Sequence, residues 1–121
     1  MELRELFKKL SNSDLSELNF DFANNSLELH FWYNENETVV KFNRLINFEY
    51  RPDFSDEAPR IILEASYKFI DLDSLLLNHK PLFIGGSRVY EQLNFPVIVS
   101  EFKSADIEIK IVSESISLTQ I

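Results

Sequence analysis

The fold is decided by Leu18–Tyr33, which reads LNFDFANNSLELHFWY. Apolar side chains occupy alternate positions on both sides of Asn24-Asn25. A period of two is typical of half-buried β-strands, and asparagine tolerates the positive φ of a tight turn. The stretch therefore predicts a hairpin of two antiparallel strands. Its apolar face is expected to carry Leu18, Phe20, Phe22, Leu27, Leu29, Phe31 and Tyr33.

The segment before the hairpin, MELRELFKKL, has a different period. Its apolar side chains follow the i, i+3, i+4, i+7 spacing of a one-sided helix, on Leu3, Leu6, Phe7 and Leu10. Ser11–Ser13 then ends the pattern. We therefore predict an amphipathic helix over Glu2–Leu10 whose apolar side faces the sheet.

The segment after the hairpin reads as a third strand. A polar turn at Asn34–Glu37 leads into Val39–Tyr50, and the alternation changes phase near Asn43–Asn47. Such a change of phase predicts a bend or bulge in the strand. Four apolar side chains of this strand are expected to share one face: Val40, Phe42, Ile46 and Phe48.

The remaining chain continues the strand pattern. RPDFSDEAPR (51–60) is a loop with two prolines, and Ile61–Phe69, Pro96–Phe102 and Asp106–Val112 alternate as further strands. Ser113–Ile121 either extends the last strand or frays. No βαβ rhythm occurs, which disfavours a doubly wound nucleotide fold. The predicted fold class is α+β: an N-terminal amphipathic helix packed on a curled, mostly antiparallel sheet of about six strands, in a single domain spanning 1–121.

The charge balance limits the class of partner. Twenty acidic residues against twelve basic ones give a net charge of −8. Such a surface repels a phosphate backbone unless its basic residues cluster, and only Arg4, Lys8 and Lys9 lie close together. We therefore expect no nucleic-acid partner. The charge is suited to steering a basic protein partner, or simply to solubility.

The sequence also lacks features that several kinds of chemistry and several cellular locations require. The chain has no cysteine, which excludes disulfides, thiolate nucleophiles and cysteine-ligated zinc. No apolar run approaches the roughly 18 residues of a membrane helix, and the first residues lack the apolar region of a secretory signal. The sequence thus predicts a soluble cytoplasmic protein with no membrane partner.

The only two glycines lie in FIGGSRVYEQL (83–93). This segment is similar to the Gly-Gly segment of dihydrofolate reductases at Ile84, Gly85, Gly86, Tyr90 and Leu93, and the resemblance implies contact with a nicotinamide cofactor. The chain before it has neither a parallel strand set nor any glycine, so the family's other cofactor loops have no counterpart. We interpret the pair as a turn and expect no cofactor.

Asp71, Asp73 and His79 are the candidate metal ligands. Two carboxylates and an imidazole can hold a divalent cation, and a pocket there is the basis of an alternative enzyme or ligand-binding function. An acid pair just before a serine and a leucine run is also typical of a helix cap. We favour the cap and expect no metal. His30 is expected at the surface beside Trp32, and no Ser-His-Asp spacing suggests a catalytic residue.

Two acidic segments are the predicted partner-binding residues. Trp32 points away from the apolar face of its strand and lies near Glu35 and Glu37, as an interface anchor would if no terminal segment covers it. The proline-stiffened loop carries the second set and is the predicted main electrostatic contact: Asp53, Asp56 and Glu57. Because alternate turns of a meander lie at opposite ends of a sheet, the two sets are expected to be separate.

The order of patterns in residues 14–50 resembles small acidic immunity proteins of bacterial polymorphic toxin systems and the uncharacterised bacterial domains similar to them. The residues that carry the resemblance are core positions: Leu18, Phe20, Leu27, Leu29, Phe31, Val40, Phe42 and Phe48. The resemblance implies a non-catalytic protein that covers the active site of a basic toxin domain, often a nuclease. A homodimeric structural subunit, paired through the edge of the last strand, is the remaining alternative.

Overall fold

A computed structural model describes residues 2–52, 61–62, 64–78, 94–104 and 107–120. Helix α1 spans Leu3–Leu10 and helix α2 spans Leu72–Asn78. The strands are β1 (Ser13–Asp21), β2 (Ser26–Tyr33), β3 (Asn36–Pro52), β4 (Ile61–Ile62), β5 (Glu64–Ile70), β6 (Val97–Lys103) and β7 (Ile107–Gln120). The molecule is strand-dominated, and the predicted α+β class is confirmed in its coarse form, a mostly antiparallel sheet with a short N-terminal helix.

The described strands form one sheet in the order β4-β1-β2-β3-β7-β6-β5, and all six neighbouring pairs are antiparallel. β4 and β5 lie at opposite edges of this order, yet a single residue separates them in the chain. One residue can span only about 7 Å between the flanking Cα atoms. The sheet is therefore curled until its two edges meet.

Helix α1 packs against the inner side of this curl. Leu6, Phe7 and Leu10 are buried in one cluster with inward side chains from six of the strands. Phe102 lies at the centre of the cluster, with its ring centroid 5.6 Å from that of Phe7, 5.4 Å from Phe31 and 6.2 Å from Phe42. Aromatic pairs at this spacing add to the stabilisation from area burial.

The hairpin predicted from the opening stretch is confirmed. β1 and β2 pair antiparallel with Asp21 opposite Ser26, and Asn25 adopts a φ of 49° in the turn. Asn25 is also tied to β3, because its carbonyl accepts from the Leu45 N–H over 2.9 Å and its Nδ2 donates to the Leu45 carbonyl over 3.1 Å. The turn is therefore held against the middle of the third strand.

The third strand has the predicted irregularity, and its position corrects one expectation. The register with β7 shifts between Leu45 and Asn47, and Arg44 adopts a φ of 51°. An extra residue reverses the alternation of side chains. Ile46 consequently lies on the other face from Val40 and Phe42, in a second buried cluster beneath α2 with Ile70, Leu75, Val97, Val99 and Val112.

The predicted fourth strand is wrong as a single element. Its first residues form β4 beside β1, and Glu64–Ile70 forms β5 beside β6. Glu64, Ser66 and Lys68 are exposed as expected. The two closing strands are confirmed as β6 and β7, and the last strand continues to Gln120, which pairs with Thr38. The glycine pair lies outside the described residues.

Candidate functional site

The outward side chains of β1, β2 and β3 form a surface that we name the acidic face. On β2 the outward residues alternate with buried Leu27, Leu29 and Phe31. Cross-strand neighbours on β1 and β3 complete the surface, because directly paired residues point to the same side of a sheet. The charged and aromatic residues of the acidic face are Asp14, Glu17, Glu28, His30, Trp32 and Glu37, together with one basic residue, Lys41, which pairs with Glu28.

Trp32 is the exposed aromatic residue of this surface. Trp32 is 43% exposed to solvent, so neither α1 nor a described terminal strand covers it. Asp14 pairs with it from β1 and Glu37 pairs with it from β3. An indole flanked by a carboxylate on each neighbouring strand presents a flat apolar group within a negative field. Such a group can stack against a basic side chain.

His30 lies beside Trp32 on the acidic face but is more buried than expected. Its side chain is only 14% exposed. Nδ1 lies 3.3 Å from Glu37 Oε1 and 3.7 Å from Glu17 Oε2, and Nε2 lies 3.6 Å from Glu28 Oε2. Carboxylates from three adjacent strands thus surround one imidazole. All three glutamate side chains therefore contact the same histidine.

The predicted partner-binding residues are only partly brought together. Glu35 lies in the β2–β3 turn, where Asn34 and Glu35 have φ values of 48° and 65°. Glu37 is the second residue of β3, and both acids lie at the same end of the sheet as Trp32. Asp53, Asp56 and Glu57 lie outside the described residues. β3 begins at Asn36 and ends at Pro52, so the two acidic segments leave opposite ends of one long strand.

A second surface, which we name the aromatic cleft, lies between β1 and β3 on the inner side of the curl. Its volume is about 330 Å³, and its walls are Leu15, Glu17, Leu18, Phe20, Phe48 and Tyr50. The Phe20 and Phe48 rings meet edge to face with centroids 5.1 Å apart. Among the strands the structure describes, β4 pairs with β1 only at Ser13 and Asp14. The cleft therefore follows a part of β1 that has no described neighbour on that side.

Phe22 extends the aromatic surface beyond the cleft. It is 88% exposed in the β1–β2 turn, and its ring stacks on that of Phe20 with centroids 5.7 Å apart. The sequence predicted a buried face for Phe20, Phe22 and Tyr33, and all three are exposed. Phe20 lies next to the end of β1, Tyr33 is the last residue of β2, and Phe22 lies in the turn between the two strands.

Asp71 acts as a helix cap, as predicted. The Ser74 backbone N–H donates to Asp71 Oδ1 over 2.8 Å, and this hydrogen bond lowers the pKa of the Asp71 carboxyl from its ordinary value of 3.8. Within the described part of the chain, no group of three or more histidine, cysteine or acidic side chains is arranged to hold a metal ion. His79 lies outside that part.

Neither the aromatic cleft nor the full set of carboxylates around His30 could be read from local sequence patterns. Glu28 could have been found, because it lies two residues before His30 on the same strand. Glu17 and Glu37 reach His30 only through the strand register, which no local pattern specifies. Three of the cleft residues, Leu18, Phe20 and Phe48, are predicted core positions, because their alternation matches that of the buried residues.

Comparison with known proteins identifies a fold relative. No family model matches the chain, and no curated protein matches it significantly. Among solved structures, the chain is similar to the crystal structure of an uncharacterized protein from Neisseria gonorrhoeae, with a TM-score of 0.55 and 19% sequence identity over 92% of this chain and 93% of that one. At this identity the likeness shows the fold alone. None of the helices described here is long and apolar enough to cross a membrane.

Proposed function

We propose that this chain is a non-catalytic acidic binding protein, and specifically an immunity protein that inhibits a basic toxin domain, such as a nuclease, by covering its active site. The observation that carries the proposal is the acidic face, where an exposed Trp32 lies between Asp14 and Glu37. Interfaces of high affinity commonly combine an aromatic anchor with surrounding charge. The proposed setting is the cytoplasm.

The proposed mechanism begins with electrostatic steering. A net charge of −8 attracts a basic surface before contact, and steering of this kind raises association rates by about 10- to 1,000-fold at low salt. Docking then brings Trp32 against the partner, and carboxylates take the place of substrate phosphates in the toxin's active site. The acids of the 53–60 segment, Asp53, Asp56 and Glu57, are proposed as a second contact on the strength of their sequence alone.

The helix and the curled sheet act as the support in this proposal. Leu6, Phe7 and Leu10 are buried while Arg4, Glu5 and Lys8 are exposed, which supports an amphipathic helix that holds the sheet from within. A rigid sheet keeps the carboxylates in place and reduces the entropy lost on binding. The alternative functions, a pocket at Asp71, Asp73 and His79 or a homodimeric subunit, gain no support from the described residues.

The proposal is tested with two triple charge reversals. The first, Asp14→Lys with Glu28→Lys and Glu35→Lys, alters the surface around Trp32. The second, Glu5→Lys with Glu64→Lys and Glu108→Lys, alters exposed acids on α1, β5 and β7. Both change the net charge equally, so a difference between them reports the location of the contact.

The tagged protein and both variants are used to isolate partners from the organism that encodes the chain. We expect a basic partner to be retained by the wild type and the second variant, and the first variant to associate about tenfold more slowly at low salt. Expression of the partner alone should be toxic to cells, and co-expression of this chain should restore growth. A partner that is not toxic, or toxicity that this chain does not relieve, would refute the immunity function.

A further inference from the structure

We propose that protonation of His30 regulates the acidic face, so that this surface attracts cations less strongly at about pH 5.5 than at about pH 8. Histidine is the side chain whose charge ordinarily changes in this range. The inference rests on the proposed function for the identity of the regulated ligand, a basic partner protein. The effect on small ions depends only on the surface itself.

His30 lies close enough to Trp32 for its charge to act on the surroundings of the indole. The two residues are two positions apart on β2, and both side chains belong to the acidic face. Two residues of a strand span about 7 Å, which is shorter than the Debye length of about 10 Å at 0.1 M salt. A positive imidazole therefore opposes the attraction that the carboxylates beside Trp32 exert on cations.

The surroundings of His30 are mostly negative. The described charged residues that face it come from β1, β2 and β3: Asp14, Glu17, Glu28, Glu37 and Lys41. On β7, the residues opposite Val39 and Lys41 are the uncharged Thr119 and Ser117. Four carboxylates outweigh one ammonium, so a single proton on His30 cancels a large part of the net charge of this group.

The two ring nitrogens of His30 have different surroundings. Nδ1 lies 3.3 Å from Glu37 Oε1, at hydrogen-bonding distance, and a proton on Nδ1 leaves Nε2 as the acceptor of the neutral imidazole. Nε2 is buried and has no hydrogen-bond partner in the described part of the chain. Glu28 Oε2 lies 3.6 Å from it, and a carboxylate has no proton to donate. A second proton, on Nε2, would therefore lie on the side of the ring that faces Glu28.

The added proton should weaken the attraction of a basic partner. Side-chain carboxylates ordinarily titrate near pH 4, so between about pH 8 and pH 5.5 the imidazole changes its charge while the acids keep theirs. Binding affinities of two ligands affect each other equally. A basic partner that binds the acidic face should consequently favour release of the proton from His30.

The test measures the electrostatic field beside Trp32 and needs no partner. Quenching of the fluorescence of this single tryptophan is measured with caesium, iodide and neutral acrylamide from pH 8 to pH 5.5, at constant low ionic strength. We expect the ratio of the caesium to the iodide quenching constant to fall about twofold, because one charge about 7 Å away changes the local concentrations of cations and anions in opposite directions. Acrylamide quenching should stay constant, since the exposure of the indole does not change.

Two variants and one comparison within the wild type assign the effect to His30. His30→Gln should remove the pH dependence of the ratio, whereas His79→Gln, which removes the other histidine of the chain, should retain it. The ring signals of the two histidines are followed by NMR and assigned with the His79→Gln variant. In the wild type, the midpoint of the His30 titration should coincide with the midpoint of the change in quenching. This last result does not depend on whether His30→Gln folds.

A ratio that does not change with pH would overturn the inference. So would an equal change in His30→Gln, or a midpoint that differs from that of the His30 ring. These outcomes leave the immunity function standing, because the growth assay that tests it does not vary the pH. Failure of that function appears in the growth assay and leaves the effect of pH on ion quenching unaltered.

Discussion

The two faces of β2 carry residues of opposite character. Leu27, Leu29 and Phe31 are almost fully buried on the side that holds α1, whereas the residues between them, Glu28 and His30, lie within a cluster of carboxylates on the other side. Adjacent residues of one strand thus divide between the buried core and a charged surface. Substitutions on the inner face should change the free energy of unfolding, and substitutions on the acidic face should change the electrostatics while the fold persists.

Substitutions on the inner face of the sheet should have the largest effect on the free energy of unfolding. Phe102→Ala should lower the free energy of unfolding by about 3–5 kcal/mol, because the ring is fully buried and contacts three other aromatic rings. Urea denaturation followed by circular dichroism measures the loss. Phe69→Ala is the control, since Phe69 is exposed and should cost less than about 1 kcal/mol. Equal losses would mean that the inner cluster is not the main core.

Substitutions of buried residues in helix α1 should have the next largest effect on stability. Leu6→Ala or Phe7→Ala should lower the free energy of unfolding by about 2–5 kcal/mol, because both side chains are buried between α1 and the sheet. Lys8→Ala, at an exposed position of the same helix, should leave the urea midpoint nearly unchanged. If both core variants also kept the wild-type midpoint, α1 would not be part of the folded unit.

The negative charge of the acidic face should be measurable through the fluorescence of Trp32, the single tryptophan of the chain. Because Asp14 and Glu37 flank the exposed indole, caesium should quench its fluorescence more strongly than iodide at low ionic strength. High salt should reduce the difference by screening the carboxylates. Asp14→Lys should narrow the difference without changing stability appreciably, and Glu64→Lys is the control. Equal quenching of the wild type by both ions would contradict the negative field.

The smallest effect is expected at Asp71, which belongs to neither face. Its pKa is lowered in the folded state by the hydrogen bond from the Ser74 N–H. A lowered folded-state pKa means that the stabilisation is present above the ordinary value of 3.8 and is lost as the pH falls below it. Asp71→Asn keeps a capping oxygen but removes the titration, so its urea midpoint should decline less than that of the wild type between pH 5 and pH 2.5. Parallel declines would show that this carboxylate contributes no pH dependence.

Local patterns in the sequence were sufficient for the elements whose neighbours are close in the chain. The alternation in β1 and β2 and the asparagine turn between them depend on a few adjacent residues, and so does the cap at Asp71. The helix followed from the spacing of Leu3, Leu6, Phe7 and Leu10, of which the last three are buried.

Features that depend on distant pairing could not be predicted. The division of one apolar run into β4 and β5 requires knowledge that the sheet edges meet, and the orientation of Ile46 depends on where β3 bulges against β7. The same limit applies to the candidate sites. Glu17, His30 and Glu37 come from three strands, and the cleft forms where β1 extends past β4.

The long pairing of β3 with β7 also has a consequence for how the chain folds. β1, β2 and β3 are consecutive and can assemble locally, but Thr38 finds its partner only at Gln120. Pairing between residues so far apart in sequence slows folding, because the closure entropy of a large loop must be lost first. On a ribosome, the 17-residue strand β3 would wait with an unpaired edge until β7 is synthesised. Unpaired strand edges promote aggregation and chaperone binding, so we expect newly made chains to be most prone to both before β7 pairs with β3.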